Sequence, residues 1–262
     1  MSRPRTIVLT AAVASVTGLG LVPTADAASV RYVALGDSYS AGVGAGSYIS
    51  SSGSCDRSPN AYSALWAAAH APSSYASVAC SGATTTDVIN KQLSALSSST
   101  TLVSITIGGN DENFGGIMQD CNLKGTTTCV NEINAAKADA TAHLPAKLAK
   151  VYSAIKSKAS NAHVVVLGYP DFYDVAKSCI GLSQASRTAI DSGIDLLDSL
   201  TKTAATKAGF TFGDVRSAFA GHEICDSGRW LHSVNLLDIE ESYHPTATGQ
   251  KSGYLPVFSA KV

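Results

Sequence analysis

The sequence predicts an α/β fold, a three-layer α/β/α sandwich around a central parallel sheet, on three observations. Short apolar, β-branched runs alternate with segments of helical periodicity. Those runs end on glycine followed by polar residues. No repeat, low-complexity tract or linker divides the chain. Such alternation implies right-handed crossovers between parallel strands. Polar residues gathered where strands stop imply chemistry along one edge of the sheet.

Residues 1–27 stand apart from the fold. Arg3 and Arg5 precede an apolar run over residues 7–22, and Ala25, Asp26 and Ala27 form a small-x-small cleavage site. This reads as a secretory signal peptide, with residues 28–262 as a single domain. A membrane anchor is the competing reading, but the run falls short of the ~20 residues that a span needs. The first strand, over residues 31–36, stops at Gly36, and Asp37 and Ser38 follow. A short turn there lifts the Ser38 side chain clear of the packing.

A loop rich in glycine and serine covers residues 42–58. Its run Gly42, Val43, Gly44, Ala45, Gly46 lacks the spacing of a phosphate-cradling loop and reads as a flexible loop beside the site. Ser58 and Pro59 supply an N-cap and first-turn proline for a helix through Leu65, Trp66 and Ala69. A strand over residues 75–79 runs into Cys80, Ser81 and Gly82, and residues 84–96 read as a helix. The strand over residues 101–107 ends on Gly108, Gly109, Asn110 and Asp111.

Beyond it lies a looser region through Cys121 and Cys129. A long helical stretch follows over residues 130–158, which Pro145 divides or kinks. Residues 163–167 form the clearest strand, ended by Gly168, Tyr169 and Pro170. Ile190, Ile194, Leu197 and Ala204 mark an amphipathic helix over residues 183–207. A short strand covers residues 210–212, residues 214–241 are irregular, and Pro245 opens a final helix toward Tyr254.

The charge is near balance, −1 over the whole chain, so there is no basic surface for nucleic acid. Six cysteines, Cys55, Cys80, Cys121, Cys129, Cys179 and Cys225, follow the leader segment, and an even count in that setting reads as three disulfides. About 15 connectivities are open, of which nearest-neighbour pairing is the simplest. Zinc is the alternative; no C-x-x-C spacing and no paired histidines accompany the cysteines. His70, His143, His163, His222 and His232 likewise show no metal-ligand spacing, and His232, with Trp230 and Leu231, is placed to line a pocket.

Gly36, Asp37, Ser38, Tyr39 and Ser40 resemble the first block of the GDSL, or SGNH, hydrolases. Gly82 matches their second block, Gly108 to Asp111 the third, and His244 with Pro245 the last. The likeness is nearest to secreted actinobacterial (Streptomyces-type) lipases, esterases and phospholipases A1 with three disulfides. It implies the flavodoxin-like SGNH hydrolase fold and a serine ester hydrolase that needs no metal or cofactor. Ser38 is then the nucleophile, His244 its base, and the Ser38 and Gly82 N–H groups with the Asn110 amide form the oxyanion hole.

Relatives commonly carry an aspartate three residues before the histidine. Glu241 stands there in this chain, and the main-chain carbonyl of Ser242 is the other candidate to orient His244. Asp37 reads as a residue that fixes its loop, not as the triad acid. Pro245 would place His244 near the positive end of a helix, which disfavours imidazolium.

The resemblance implies a secreted lipase or carboxylesterase acting on triacylglycerols and simple esters. Phospholipase A1 action on glycerophospholipids is one alternative and polysaccharide acetyl ester hydrolysis another; a catalytically silent binding protein is a third. The expected partner is a lipid or ester substrate met through transient contact with a lipid interface. The mature chain is expected to be an extracellular monomer without a transmembrane segment. Phe114, Ile117 and Met118 are candidate acyl contacts or, as an apolar cluster, part of the core.

Overall fold

Five parallel strands make the middle layer in a computed structural model, which describes Met1 and residues 29–235 and 239–262; the signal-peptide reading otherwise lies outside the described residues. The strands are β1 (Arg31–Gly36), β2 (Ser74–Ser77), β3 (Leu102–Thr106), β4 (His163–Leu167) and β5 (Thr211–Gly213), in the order β2-β1-β3-β4-β5. The predicted α/β class and parallel sheet are therefore what the chain adopts. The order reverses direction between β1 and β3, the switch point outside which α/β sheets of this type bind ligands.

Alternation along each strand separates two apolar layers. Tyr32, Ala34, Leu102, Val165 and Leu167 face one, and Val33, Leu35, Val103, Ile105, Val164 and Val166 the other. The helices that cover the sheet are α1 (Ser38–Ala41), α2 (Tyr62–His70), α3 (Thr85–Asp87), α4 (Phe114–Leu123), α5 (Thr126–Lys158), α6 (Gln184–Ala208), α7 (Arg216–Phe219) and α8 (Leu255–Ser259). No helix among the described residues is long and apolar enough to cross a membrane.

Four local expectations are corrected. Ser58 caps no helix; its hydroxyl accepts from the Asn60 amide within a turn, and α2 begins at Tyr62. The looser region after Asp111 contains α4, formed because Ile117, Met118 and Cys121 bury one face and outweigh the weak helix propensity of Gly115 and Gly116. Helix α5 runs unbroken through Pro145, which lies on the solvent face, while Leu144, Leu148, Val151 and Ile155 hold the buried face to the sheet. Pro145 is exposed, so the carbonyl it leaves without a partner can meet water.

The fourth correction concerns Pro245. It opens no helix but pairs with Leu231 in an antiparallel bridge, and the last helical segment starts later, with Gly249–Tyr254 leading into α8.

The cysteines pair as nearest neighbours: Cys55–Cys80, Cys121–Cys129 and Cys179–Cys225. Each joins connecting segments or helices and none joins strands. Replacing Cys55 and Cys80 together by serine is expected to lower unfolding free energy by about 2–5 kcal/mol, measured by urea denaturation under oxidising conditions. An unchanged midpoint would show that this bridge adds nothing to the fold.

Candidate active site

Strands β1 and β3 end in register, Gly36 beside Thr106, so the segments that follow them emerge side by side. Gly36 has φ +121°, and a side chain there would collide with the Thr106 carbonyl. Buried Gln92 satisfies both backbone groups of Gly36, accepting from its N–H and donating to its carbonyl, each at 2.8 Å. The chain then turns into α1. Asp37 is its N-cap, accepting from the Tyr39 amide at 3.0 Å, and Ser38 is the first helical residue.

The Ser38 hydroxyl meets Nε2 of His244 at 2.7 Å across 206 residues of sequence. Nδ1 of the same ring lies 3.1 Å from the main-chain carbonyl of Ser242. A carbonyl only accepts, so Nδ1 carries the ring proton and Nε2 is left to accept from Ser38. Glu241 is turned away, its carboxylate accepting from the Tyr48 hydroxyl at 2.6 Å. Of the two candidates to orient His244, only the carbonyl meets the ring.

This i-to-i−2 contact depends on Tyr243, a non-glycine residue at φ +67°. Such a conformation persists only where surroundings enforce it. Here the Tyr243 N–H donates to the His232 carbonyl at 3.0 Å and its carbonyl accepts from the Tyr39 hydroxyl at 2.8 Å. Its own hydroxyl accepts from Asn122 at 2.8 Å, and its ring stacks on Phe172.

Trp230, Leu231 and His232, expected to line the pocket, support this turn from behind. The His232 N–H donates to the His244 carbonyl at 2.9 Å, and the His232 ring bonds the Gly44 carbonyl at 2.7 Å. Trp230 stacks on His222, with ring centroids 3.7 Å apart. The glycine loop is part of the same support. A side chain at Gly44 would press on the His244 Cβ at 3.0 Å, and Val43 and Ala45 are buried.

The three expected oxyanion donors share one cavity with Ser38 and His244. Among the described residues, the Ser38 and Gly82 N–H groups have no protein acceptor. Gly82 has φ +72°, and a Cβ there would enter open space. Ser81, beside it, donates its N–H to the Cys55 carbonyl at 3.1 Å, so the Cys55–Cys80 bridge anchors this turn. Asn110 spends one amide hydrogen on the Ala83 carbonyl at 3.1 Å, leaving the other for a ligand. Asp111 reinforces the link by accepting from Thr85, N–H at 2.8 Å and hydroxyl at 2.7 Å.

The cavity holds about 540 Å³, and its walls are largely apolar, with Phe114, Met118, Phe172 and Leu197 among them. Phe114 and Met118 thus stand where acyl contacts were expected. Ile117 does not reach this cavity; it is buried beneath it and lines a smaller adjoining pocket.

Burial sets the titration of the two charged candidates. Loss of hydration pushes the His244 imidazole down to about 4, against the carbonyls of Ser242 and Glu240, which favour its cation. The neutral ring expected from a helix end is thus explained by burial instead. Burial likewise pushes Asp37 up to about 7, opposed by hydrogen bonds from Tyr169 and from the Tyr39 and Ser40 amides.

Tyr169 escaped sequence reasoning. Its hydroxyl donates to Asp37 at 2.5 Å and accepts from the Gly109 N–H at 3.1 Å, joining the turn after β1 to the loop after β3. The only available signal was its place directly after β4, at the same edge as Ser38 and Asn110.

A model of the GDSL-like Lipase/Acylhydrolase family matches residues 34–251. Lipase 1 of Streptomyces coelicolor is 56% identical over 250 residues, 95% of this chain and 93% of its own length. A lipase of Streptomyces rimosus is also 56% identical, over 87% of this chain and 85% of its own. Among solved structures, phospholipase A1 from Streptomyces albidoflavus superposes with a TM-score of 0.88 at 54% identity, covering 89% of this chain and 100% of that one. The extracellular lipase from Streptomyces rimosus gives 0.87 at 54% identity, with the same coverage.

Proposed function

The chain belongs to the GDSL-like lipase/acylhydrolase family, and on that premise we propose that it is a secreted enzyme releasing fatty acids from triacylglycerols and simple esters through an acyl-Ser38 intermediate. It is a carboxylic ester hydrolase. The observation that carries the reading is the relay from Ser38 through His244 to the Ser242 carbonyl, set in the wall of an apolar cavity.

The chemistry follows from the atoms. Ser38 Oγ attacks the ester carbonyl while its proton passes to Nε2 of His244. The imidazolium so formed donates from Nδ1 to the Ser242 carbonyl and then gives the Nε2 proton to the departing alcohol. Negative charge on the former carbonyl oxygen faces the Ser38 and Gly82 N–H groups and the Asn110 amide. Water then attacks the acyl-serine by the same proton path, releasing the acid.

An apolar cavity of about 540 Å³ suits a fatty acyl chain and is oversized for acetyl, which argues against polysaccharide deacetylation. Phospholipase A1 action is the second reading, favoured by the likeness to the Streptomyces albidoflavus enzyme of that name. A panel of triacylglycerols, phosphatidylcholine and acetylxylan, with positional analysis of the released acid, separates the three. Fatty acid release from triacylglycerol is expected; acetate release alone would overturn the reading. An extracellular location is supported by the leader-like residues 1–27, the three disulfides and the extracellular relative.

Two further outcomes are expected. Glu241→Ala keeps kcat within about threefold of wild type, because the carboxylate is bonded to Tyr48 and not to the imidazole; a loss of ~10³-fold or more, the scale of an orienting acid, would refute the dyad. The acid limb of kcat/KM lies near pH 4, since the base must be neutral and its pKa is lowered to about 4. Activity is then lost as pH falls through that value. A limb near 6.5, the value of an unperturbed histidine, would contradict the burial argument.

A further inference from the structure

Helix α6 carries a glycine, Gly193, near its middle, on the buried side that Ile190, Ile194 and Leu197 also share. Glycine is a poor helix former beside alanine, so its presence there lowers helix stability unless space requires it. Space does not require it. A Cβ at Gly193 would meet only Ile133, at 3.5 Å, an ordinary contact.

What lies beside Gly193 is a second void of about 60 Å³, between α4, α5 and α6. Gly109, Phe114, Ile194 and Leu197 line both this void and the active-site cavity, so the two share a wall. Its remaining lining is apolar apart from Glu112 and Lys137. The pocket is partly open rather than sealed, and between those two polar side chains its apolar walls leave room for about two methylene groups.

We propose that this void is the distal subsite for the acyl chain. The tail of a long ester passes Phe114 and ends against Gly193, whose missing side chain sets the depth of the subsite. The proposal rests on the reading of the protein as a hydrolase of fatty acyl esters. It adds that chain-length preference is written at the α5–α6 seam.

The test compares wild type with Gly193→Val and Gly193→Ala on p-nitrophenyl butanoate, octanoate, dodecanoate and palmitate. Its readout is the ratio of kcat/KM for the long esters to that for butanoate. Burying one methylene is worth roughly fourfold, so valine is expected to lower the long-to-short ratio about tenfold and to move the optimum to shorter chains. Alanine shifts the ratio the same way by less, and raises Tm by improving the helix. If valine disturbs folding, seen as a lowered Tm, the alanine variant decides. A ratio unchanged in a folded variant, with or without a higher Tm, makes the void a packing defect and overturns the proposal. Wild type inactive on every ester would instead refute the underlying reading, a result the variants cannot mimic.

Discussion

His244→Ala is expected to lower kcat/KM by roughly 10⁴-fold or more, Ser38→Ala to do the same, and the double variant to be no worse than either single one. Non-additivity follows from the geometry. The 2.7 Å contact between Oγ and Nε2 makes the two residues one proton-transfer unit, so removing either abolishes the same step. Steady-state kinetics on a soluble ester measures the loss, and an organophosphonate that modifies wild type but not Ser38→Ala locates the nucleophile. Losses that multiply in the double variant would mean that the two groups act independently.

The next largest effect is expected at Asn110. Asn110→Ala removes a side-chain donor from the place where negative charge develops, so kcat falls by about 10²–10³ with KM within roughly twofold. The split matters because Asn110 also bonds the Ala83 carbonyl. Loss of that link alone would shift Tm or KM. A preserved kcat with a raised KM would reassign Asn110 to substrate binding.

The residues that the structure gathers around one cavity were legible in the sequence. Gly36–Asp37–Ser38, Gly82, Asn110 and His244 each follow a strand or sit near the C-terminus, and a parallel sheet necessarily brings its strand ends to one edge. The sheet itself was legible for the same reason: β1, β3 and β4 are buried on both faces and read as continuous apolar runs. Helix limits were less legible. Tertiary burial of Ile117 and Met118 made a helix from a segment whose two glycines argued otherwise, and solvent on one side of α5 let it carry Pro145.

What sequence reasoning missed are functions of backbone course and long-range contact. Tyr169 reaches Asp37 across 132 residues, and no local pattern encodes that meeting. Trp230 and His232 are polar-tipped rings near His244 in sequence, which suggested pocket walls. Their hydrogen bonds and stacking partners point instead into the scaffold that holds the Tyr243 turn.

The Ser242 carbonyl gives the relay an unusual genetic character. Every amino acid supplies a carbonyl, so no codon change at position 242 can delete the acceptor, and selection on it acts only through the path of the chain. The vulnerable position is its neighbour: a residue at 243 that refuses φ +67°, such as valine or isoleucine, would swing the carbonyl away while leaving the identities of Ser38, Asn110 and His244 unchanged. Inactivating lesions near His244 should therefore cluster at conformationally demanding substitutions, not at chemically drastic ones.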